Sequence, residues 1–598
     1  MSDRALSWWV RAALTVPFLV ALAALATTHW SPVLDLAMTE LRVRDVLGRH
    51  SPLIGLPGRI GTFPDQGSHP GPLSFYLLAP VYRLLGSTAF ALLVSATAVN
   101  VAASWAAVAL AARRGGQRLV VGVGAIVMVS CAWFGASVLT QPWNPYLPLL
   151  SFIVVLLATW GVLEGDHVLL VPLVGFASLC AQTHVPYLSL SVALCALAFG
   201  VVAARWWRAR VIDPSQRRSL LLALVFGALL WFPVLVDEFR HSPGNVTMLR
   251  RHFLSPPEEP IGITVGAKTL LAHFDVTHIV TATISRSDYF IDRLDALASG
   301  RWVIGIVVVL IWIAGATVAT RVTERRIIRL HVVVAVASVV ALLSTGRIFG
   351  KIWYYLTLWA WPLALVAVAA TAWSFIALCE QAWRRRLPVT QVSVLVLVLA
   401  GAMFVKDAAT VDPPEDRLSR VLNAVVGPTA AALDEGVGAA DGKGGTYAVV
   451  WDDAYYFGSQ GYGLINELER RGFRARSYET YRVPVTAHRV TTVQQATAEV
   501  VLVTGVNVAD WRNRANVEEV AYFEPRSAVE LAEFDQLRAE ALTLLHAADL
   551  EDLVGLVDNN LFGASVDARL PPGVEPLLAR MLVLGEQTAV FVAPAGTF

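Results

Sequence analysis

Eleven stretches of this chain are apolar for most of twenty residues, and no other feature restricts its fold so strongly. They lie at 8–28, 88–112, 119–139, 146–163, 167–183, 185–205, 219–236, 302–320, 330–346, 354–379 and 389–405. A helix crosses a hydrocarbon core about 30 Å thick with roughly 20 apolar residues, so the chain reads as a polytopic α-helical membrane protein with about eleven transmembrane helices. Charged residues make up 16% of the 598, against about 25% in soluble proteins. The mean hydropathy of +0.57 agrees with a bilayer as solvent. No cleavage site follows the first apolar run, which is read as a retained first helix.

The net charge of +1 selects no partner and leaves no basic domain for nucleic acid. Lysine occurs only at Lys268, Lys351, Lys406 and Lys443, the other basic residues being arginine, a usage that suggests a high-GC bacterial genome. The four cysteines, Cys131, Cys180, Cys195 and Cys379, fall in or beside apolar runs and show no disulfide or metal spacing.

Short cytoplasmic loops are enriched in Lys and Arg. With the N-terminus inside, Arg4, the Arg113–Arg118 group, the Arg205–Arg218 group, the Arg321–Arg329 group and Arg384 to Arg386 all fall on the inner side. The expectation is a multi-pass protein of the plasma membrane with a cytoplasmic N-terminus. An odd helix count then places everything after about residue 408 outside the cell. Residues 1–407 are read as a transmembrane domain with long outer loops at 29–87 and 237–301, and 408–598 as one extracytoplasmic domain.

The first outer loop carries two helix-like stretches, 33–47 and 72–85, around a Gly/Pro-rich middle. In the C-terminal domain, Thr446 to Trp451, Ala498 to Thr504 and Thr588 to Ala593 read as strands. Gly463 to Arg471 and Ala528 to Ala547 read as helices, and the alternation argues an α/β sandwich.

Polar residues gather where the spans meet the outer face. Asp35, Thr39 and Arg42 share one helical face after the first span, while Glu40 and Arg44 stand at i,i+4 as a surface ion pair. An ionisable group so close to a span is a functional candidate; the plainer reading of Asp35 is a carboxylate meeting the helix dipole. His69-Pro70-Gly71-Pro72 opens the second short helix. Pro142-Trp143-Asn144-Pro145 follows the third span, and Gln182-Thr183-His184 divides the fifth from the sixth. Asp237 and Glu238 end the seventh span, and Arg347 and Lys351 precede Trp353, Tyr354 and Tyr355 before the tenth. Trp353 and Tyr354 suit an interfacial belt, and a lone histidine at a helix end is more often structural than catalytic. Together the motifs offer a carboxylate base, imidazoles and cations. Sugar transfer from a lipid phosphate needs these: a base for the acceptor hydroxyl, and cations or a metal for the leaving phosphate.

The acidic position after the first span, the His-Pro opening of a second juxtamembrane helix and the many spans ending in an extracytoplasmic domain resemble the GT-C superfamily. Its members are polyprenyl-phosphate-dependent membrane glycosyltransferases, among them protein O-mannosyltransferases, aminoarabinose transferases and actinobacterial arabinofuranosyl- and mannosyltransferases. The resemblance covers roughly 1–200 well, extends to 405 and does not reach 408–598. It implies a polyprenyl-phosphate-linked sugar donor, a cell-envelope glycan, lipid or protein acceptor, and an inverting transfer at the outer face. Asp35 takes the catalytic position; His69, Arg42, Trp143, Asn144, His184, Arg347, Lys351 and Tyr355 are the substrate-binding candidates. Relatives often pair Asp with Glu where this chain has Asp35-Leu36, which leaves a divalent cation, magnesium or manganese, as an option. In the C-terminal domain, Trp451, Tyr455 and Tyr456 beside Asp452 and Asp453 suit either sugar stacking or ordinary packing. A lipid or sugar transporter would show discontinuous helices, midplane charges and repeat symmetry. A non-catalytic envelope-assembly protein would show no chemistry at all.

Overall fold

A computed structural model of the chain describes residues 2–210, 213–275, 277 and 300–598. The chain divides into two compact units: 1–27, 51–62 and 66–411 form the first, and 28–50, 63–65 and 412–598 the second.

All eleven apolar runs are helical. In the first unit α1 is Asp3–Leu25; in the second, α2 is Leu34–Asp45. The first unit continues with α3 (Leu73–Leu84), α4 (Ala89–Arg114), α5 (Gln117–Thr140), α6 (Leu149–Leu163), α7 (Leu170–Thr183) and α8 (Leu188–Ala209). Then come α9 (Pro214–Arg240), α10 (Asn245–Leu254), α11 (Gly262–Ala272), α12 (Trp302–Val322), α13 (Arg325–Thr345), α14 (Ala360–Trp383) and α15 (Val389–Ala408). Among the described residues nine helices are long and apolar enough to cross a membrane: α1, α4, α5, α8 with its entry turn, α9 and α12 to α15. The expected count of eleven includes α6 and α7, which are shorter, at 15 and 14 residues. Every residue of α6 is buried, as an all-apolar helix requires, and it packs on α4, α7, α8, α13 and α14. Enclosed by other helices, it has no lipid thickness to match. By contrast α9, α12 and α15 leave Leu221, Leu224, Phe232, Leu310, Val392 and Leu399 exposed, the outward apolar faces that lipid would cover. The four cysteines are free thiols.

At one end of this bundle, arginines of these loops meet three carboxylates, Glu164, Asp166 and Glu380. Glu164 takes Arg329 at 2.8 Å, Arg114 at 3.6 Å and Arg326 at 3.8 Å. Arg113 reaches Asp166 at 2.5 Å, and Arg118 reaches Glu380 at 2.8 Å. The expected second outer loop contains α10 and α11, and its stretch 278–299 lies outside the described residues.

The second unit is built on a five-stranded sheet of β3 (Thr446–Asp452), β4 (Arg474–Arg476), β5 (Ala498–Thr504), β6 (Glu518–Phe523) and β7 (Thr588–Pro594), after a hairpin, β1 (Pro57–Ile60) and β2 (Gly67–Ser68), in the first unit. The order is β4-β3-β5-β7-β6; β3 runs parallel to β4 and β5, and β7 antiparallel to β5 and β6. Each residue of β5 is buried, as a central strand demands. A helix at Ala528–Ala547 opens with a capping box from Ser527 and Glu530.

The division departs from the expected boundaries at 28–50, and the reason is electrostatic. Charged side chains on α2 are too buried to stand without partners, and they find them on the C-terminal residues of their own unit. Glu40, fully buried, meets Arg470 at 2.6 Å. Arg44 bonds Asn466 Oδ1 at 3.1 Å and pairs with Glu469 at 3.4 Å. Both residues of the expected Glu40–Arg44 pair are thus tied to the Gly461–Arg470 helix, and Glu40 is buried rather than at the surface. Arg489 grips Asp45 through two bonds of 2.7 and 2.9 Å and also holds Glu469 at 3.0 Å. Arg489→Met should therefore remove the buried cation shared by two half-buried carboxylates and destabilise this unit by about 1.5–3 kcal/mol. Thermal unfolding of the full chain, followed by proteolysis within 412–598, measures the loss; an unchanged transition would contradict the ion-pair clamp.

Candidate functional site

At the end of the helical unit away from Glu164, the backbone of two helices is interrupted and side chains complete the missing hydrogen bonds. Between α7 and α8, His184 takes an extended conformation (φ −148°, ψ 120°), which removes the next amide from the helical ladder. His69 replaces the lost acceptor: Val185 N–H donates to His69 Nδ1 at 3.2 Å. The segment carrying His69 is itself pinned, since His69 N–H donates to Leu56 O at 2.8 Å and Gly71 N–H to Gln182 O at 3.1 Å. Asn245 at the start of α10 donates to Ser68 O and His69 O, and its own N–H is capped by Asp237 at 2.9 Å. Glu238 likewise accepts from Thr247 N–H, so the two acids ending α9 serve to start α10.

Because Nδ1 of His69 accepts, the proton of the neutral ring lies on Nε2, which makes that edge a donor. Burial keeps the ring neutral, pushing its pKa down from 6.5 to about 4.

From His69 the site can be followed ring by ring. His69 and His184 lie 5.1 Å apart between centroids, and His184 is 6.2 Å from Tyr355. Tyr355 contacts Trp143 at 5.4 Å and stacks with Trp353 at 6.0 Å, the planes 18° apart. Trp143 meets Tyr146 edge-on at 4.6 Å, and the Tyr146 and Tyr354 hydroxyls are 2.6 Å apart. Two cations cover Trp353, Lys351 Nζ at 5.1 Å and the Arg59 guanidinium at 5.3 Å from the ring centre. The circuit closes at Gly58, next to Arg59, where an added Cβ would lie 3.7 Å from His69 Cε1. Neither Arg59 nor Lys351 meets a carboxylate in the ion pairs of the described residues. On the turns bearing these residues, several buried polar atoms have no hydrogen-bond partner among the described residues: His184 Nδ1, Asn144 Oδ1, Gln182 Oε1, Thr183 Oγ1 and Tyr187 OH. Native interiors rarely leave such groups unpaired unless something else meets them.

The structure therefore brings together His69, His184, Trp143, Asn144, Lys351 and Tyr355. It adds Arg59, a lone arginine in the Gly/Pro-rich middle of the first loop, where no spacing marked it. Trp353 and Tyr354, read as an interfacial belt, belong to this aromatic group. Arg347 is engaged elsewhere: it is exposed, donates to Phe253 O at 2.7 Å and covers the Phe349 ring. Arg42 is a structural clamp of the second unit, bonding Val483 O at 2.8 Å and Pro484 O at 2.9 Å; burial lowers it to about 10, still charged at neutral pH. Asp35, also in the second unit, is half-buried on α2 within electrostatic reach of Arg42, Tyr462 and Glu415. Trp451 and Tyr455 are core residues, and Asp453 accepts from the backbone of Tyr455, Tyr456, Gly458 and Ser459, which fixes that loop.

Among the described residues no three His, Cys, Asp or Glu side chains gather as a ligand set.

No family model matches the chain, and no curated protein does. Among solved structures it is similar to ArnT from Cupriavidus metallidurans in the apo state, with TM-score 0.45, 11% identity, and coverage of 86% of this chain and 96% of that one. The same protein bound to undecaprenyl phosphate gives TM-score 0.39 at 11% identity over the same shares. The archaeal oligosaccharyltransferase AglB from Archaeoglobus fulgidus, in complex with an inhibitory peptide and a dolichol-phosphate, gives TM-score 0.39 at 12% identity, covering 84% of this chain and 70% of that one. The likeness is loose and concerns fold.

The His69 pKa carries a sign that can be measured. Its folded value lies below the unfolded value of 6.5, so below 6.5 the unfolded chain binds more protons and stability falls as pH drops toward 4. The loss should be of order 3 kcal/mol across that window, read as the unfolding midpoint against pH. His69→Asn should remove this dependence; a variant as acid-sensitive as wild type would contradict the assignment.

Proposed function

We propose that this chain is a membrane glycosyltransferase that moves a sugar from a polyprenyl-phosphate donor to a cell-envelope glycan, lipid or protein on the outer face of the plasma membrane. The observation that carries the reading is the circuit of His69, His184, Tyr355, Trp353 and the cations Arg59 and Lys351, which meet no carboxylate in the ion pairs of the described residues. A phosphate monoester or diester needs positive charge and fixed donors. Arginine offers a planar fork and lysine a point charge, and His69 adds the Nε2 proton. Trp143 and Tyr355 provide aromatic faces suited to a sugar ring, and Asn144 a polar atom for its hydroxyls.

The chemistry is a single displacement. The acceptor oxygen attacks the anomeric carbon, the bond from that carbon to the phosphate oxygen breaks, and polyprenyl phosphate leaves with its charge met by Arg59, Lys351 and His69. The acceptor proton passes to a carboxylate, a role assigned to Asp35. Attack opposite the leaving group inverts the anomeric centre. In this reading the N-terminus is cytoplasmic and the second unit extracytoplasmic.

A carrier would share one feature, a discontinuous helix, since α5 is broken at Gly135. The charges of the described helical unit nevertheless lie at helix ends, which suits a surface reaction better than a midplane ion path.

Full-length protein in nanodiscs should bind undecaprenyl phosphate, and Arg59→Met with Lys351→Met should weaken binding at least tenfold, the scale of one lost charged contact. Asp35→Asn should keep that binding while lowering transfer from polyprenyl-phosphate sugars by about 10²–10⁴-fold. Native mass spectrometry and a radiolabelled transfer assay read the two effects. Wild-type protein that binds no lipid phosphate would overturn the reading, and undiminished transfer by Asp35→Asn would remove Asp35 as the base.

A further inference from the structure

The break in α5 is held shut from α15, which packs along α5 although it lies far along the chain. Gly135 adopts φ 79° and ψ 168° inside α5, a conformation that takes the following amide out of the i→i−4 ladder. In hydrocarbon that N–H has no water to turn to. Ala136 N–H donates instead to Asp407 Oδ2 at 2.5 Å, the carboxylate coming from the last turn of α15. The fit is close enough that a Cβ on Gly135 would stand 3.1 Å from the same oxygen. At the other end of the turn, Asn100, fully buried on α4, donates to Leu139 O at 2.8 Å.

Asp407 is badly placed for α15 itself, because a negative charge at a helix C-terminus opposes the macrodipole. Stability of α15 alone would favour a neutral or basic residue there. The contact to the second half of α5 offsets that cost, and that half leads within four residues of Thr140 to Trp143 and Asn144.

We infer that Asp407 is a positioning residue: by supplying the acceptor missing at Gly135 it fixes the 136–140 turn, and with it the orientation of Trp143 and Asn144 in the lipid-phosphate site. This rests on the reading of that site given above. α15 is also the helix from which the chain enters the second unit at Asp412, so the same carboxylate ties the end of the last helix of the first unit to the site's aromatic wall.

The test compares Asp407→Ala with Asp407→Asn in the full chain in nanodiscs, by undecaprenyl-phosphate binding and by amide exchange over residues 136–146. Alanine should weaken binding about tenfold and speed exchange at Ala136 and the turn after it. Asparagine keeps an acceptor oxygen without the charge and should restore both, a rescue that a purely electrostatic role would not give. Asn100→Ala, which frees Leu139 O, is the second variant should Asp407→Ala not fold, with the same expected losses. Wild-type binding and exchange in the alanine variants, or failure of asparagine to rescue, would overturn the inference. Absence of lipid binding by wild type would instead sink the lipid-phosphate reading, and the exchange data would still decide whether Asp407 holds the turn.

Discussion

Hydrocarbon offers a peptide N–H no partner, and that constraint organises the helical unit. A spanning chain must close its own hydrogen bonds as helix, and wherever a helix is interrupted a side chain must complete the bond. This protein has two such repairs near one end of the bundle. Val185 N–H is met by His69, and Ala136 N–H by Asp407. Each repair fixes a turn bearing site residues: His184 at the first, Trp143 and Asn144 after the second. The polar site and the helix breaks are one feature, because the interruption that exposes backbone also turns side chains inward.

The opposite end shows the same physics applied to charge. Arginines that sequence bias groups together converge on Glu164, Asp166 and Glu380, so that cation repulsion is relieved where helices α4, α6, α13 and α14 terminate. At the site end the cations Arg59 and Lys351 are matched with aromatic faces instead. Carboxylates meet Arg113, Arg114, Arg118, Arg326 and Arg329 at one end, while at the other Arg59 and Lys351 meet no carboxylate in the ion pairs of the described residues. An anionic ligand is the partner that such an imbalance favours.

Much of this was legible in the sequence. Helical periodicity and strand alternation are local, so the Ala528–Ala547 helix and the Ala498–Thr504 strand fall where residue pattern alone puts them, as do α2 and α3 within a residue or two. The motifs around His69, Trp143 and His184 were visible because Pro and Gly mark breaks in apolar runs. What pattern does not carry is which break a distant side chain repairs. Arg59 and Asp407 are single residues whose roles depend on contacts with Trp353 and Ala136 far along the chain. For the same reason α2 could be read as part of a membrane loop, although its Glu40, Arg42 and Asp45 are satisfied by residues more than 400 positions later. For Trp451 the sequence left sugar stacking and ordinary packing both open, since burial of an aromatic depends on Tyr462 and Tyr481 folding over it.

The central claim is that the interrupted helices, together with the β1 hairpin, form a cradle for a lipid phosphate. An experimental density map of the full chain in nanodiscs containing undecaprenyl phosphate tests it most directly. The phosphate is expected within hydrogen-bonding distance of Arg59, Lys351 and His69 Nε2, with its chain leaving between helices toward lipid. Phosphate density lodged instead among the arginines around Glu164, with the His69–His184 region filled only by water, would contradict it.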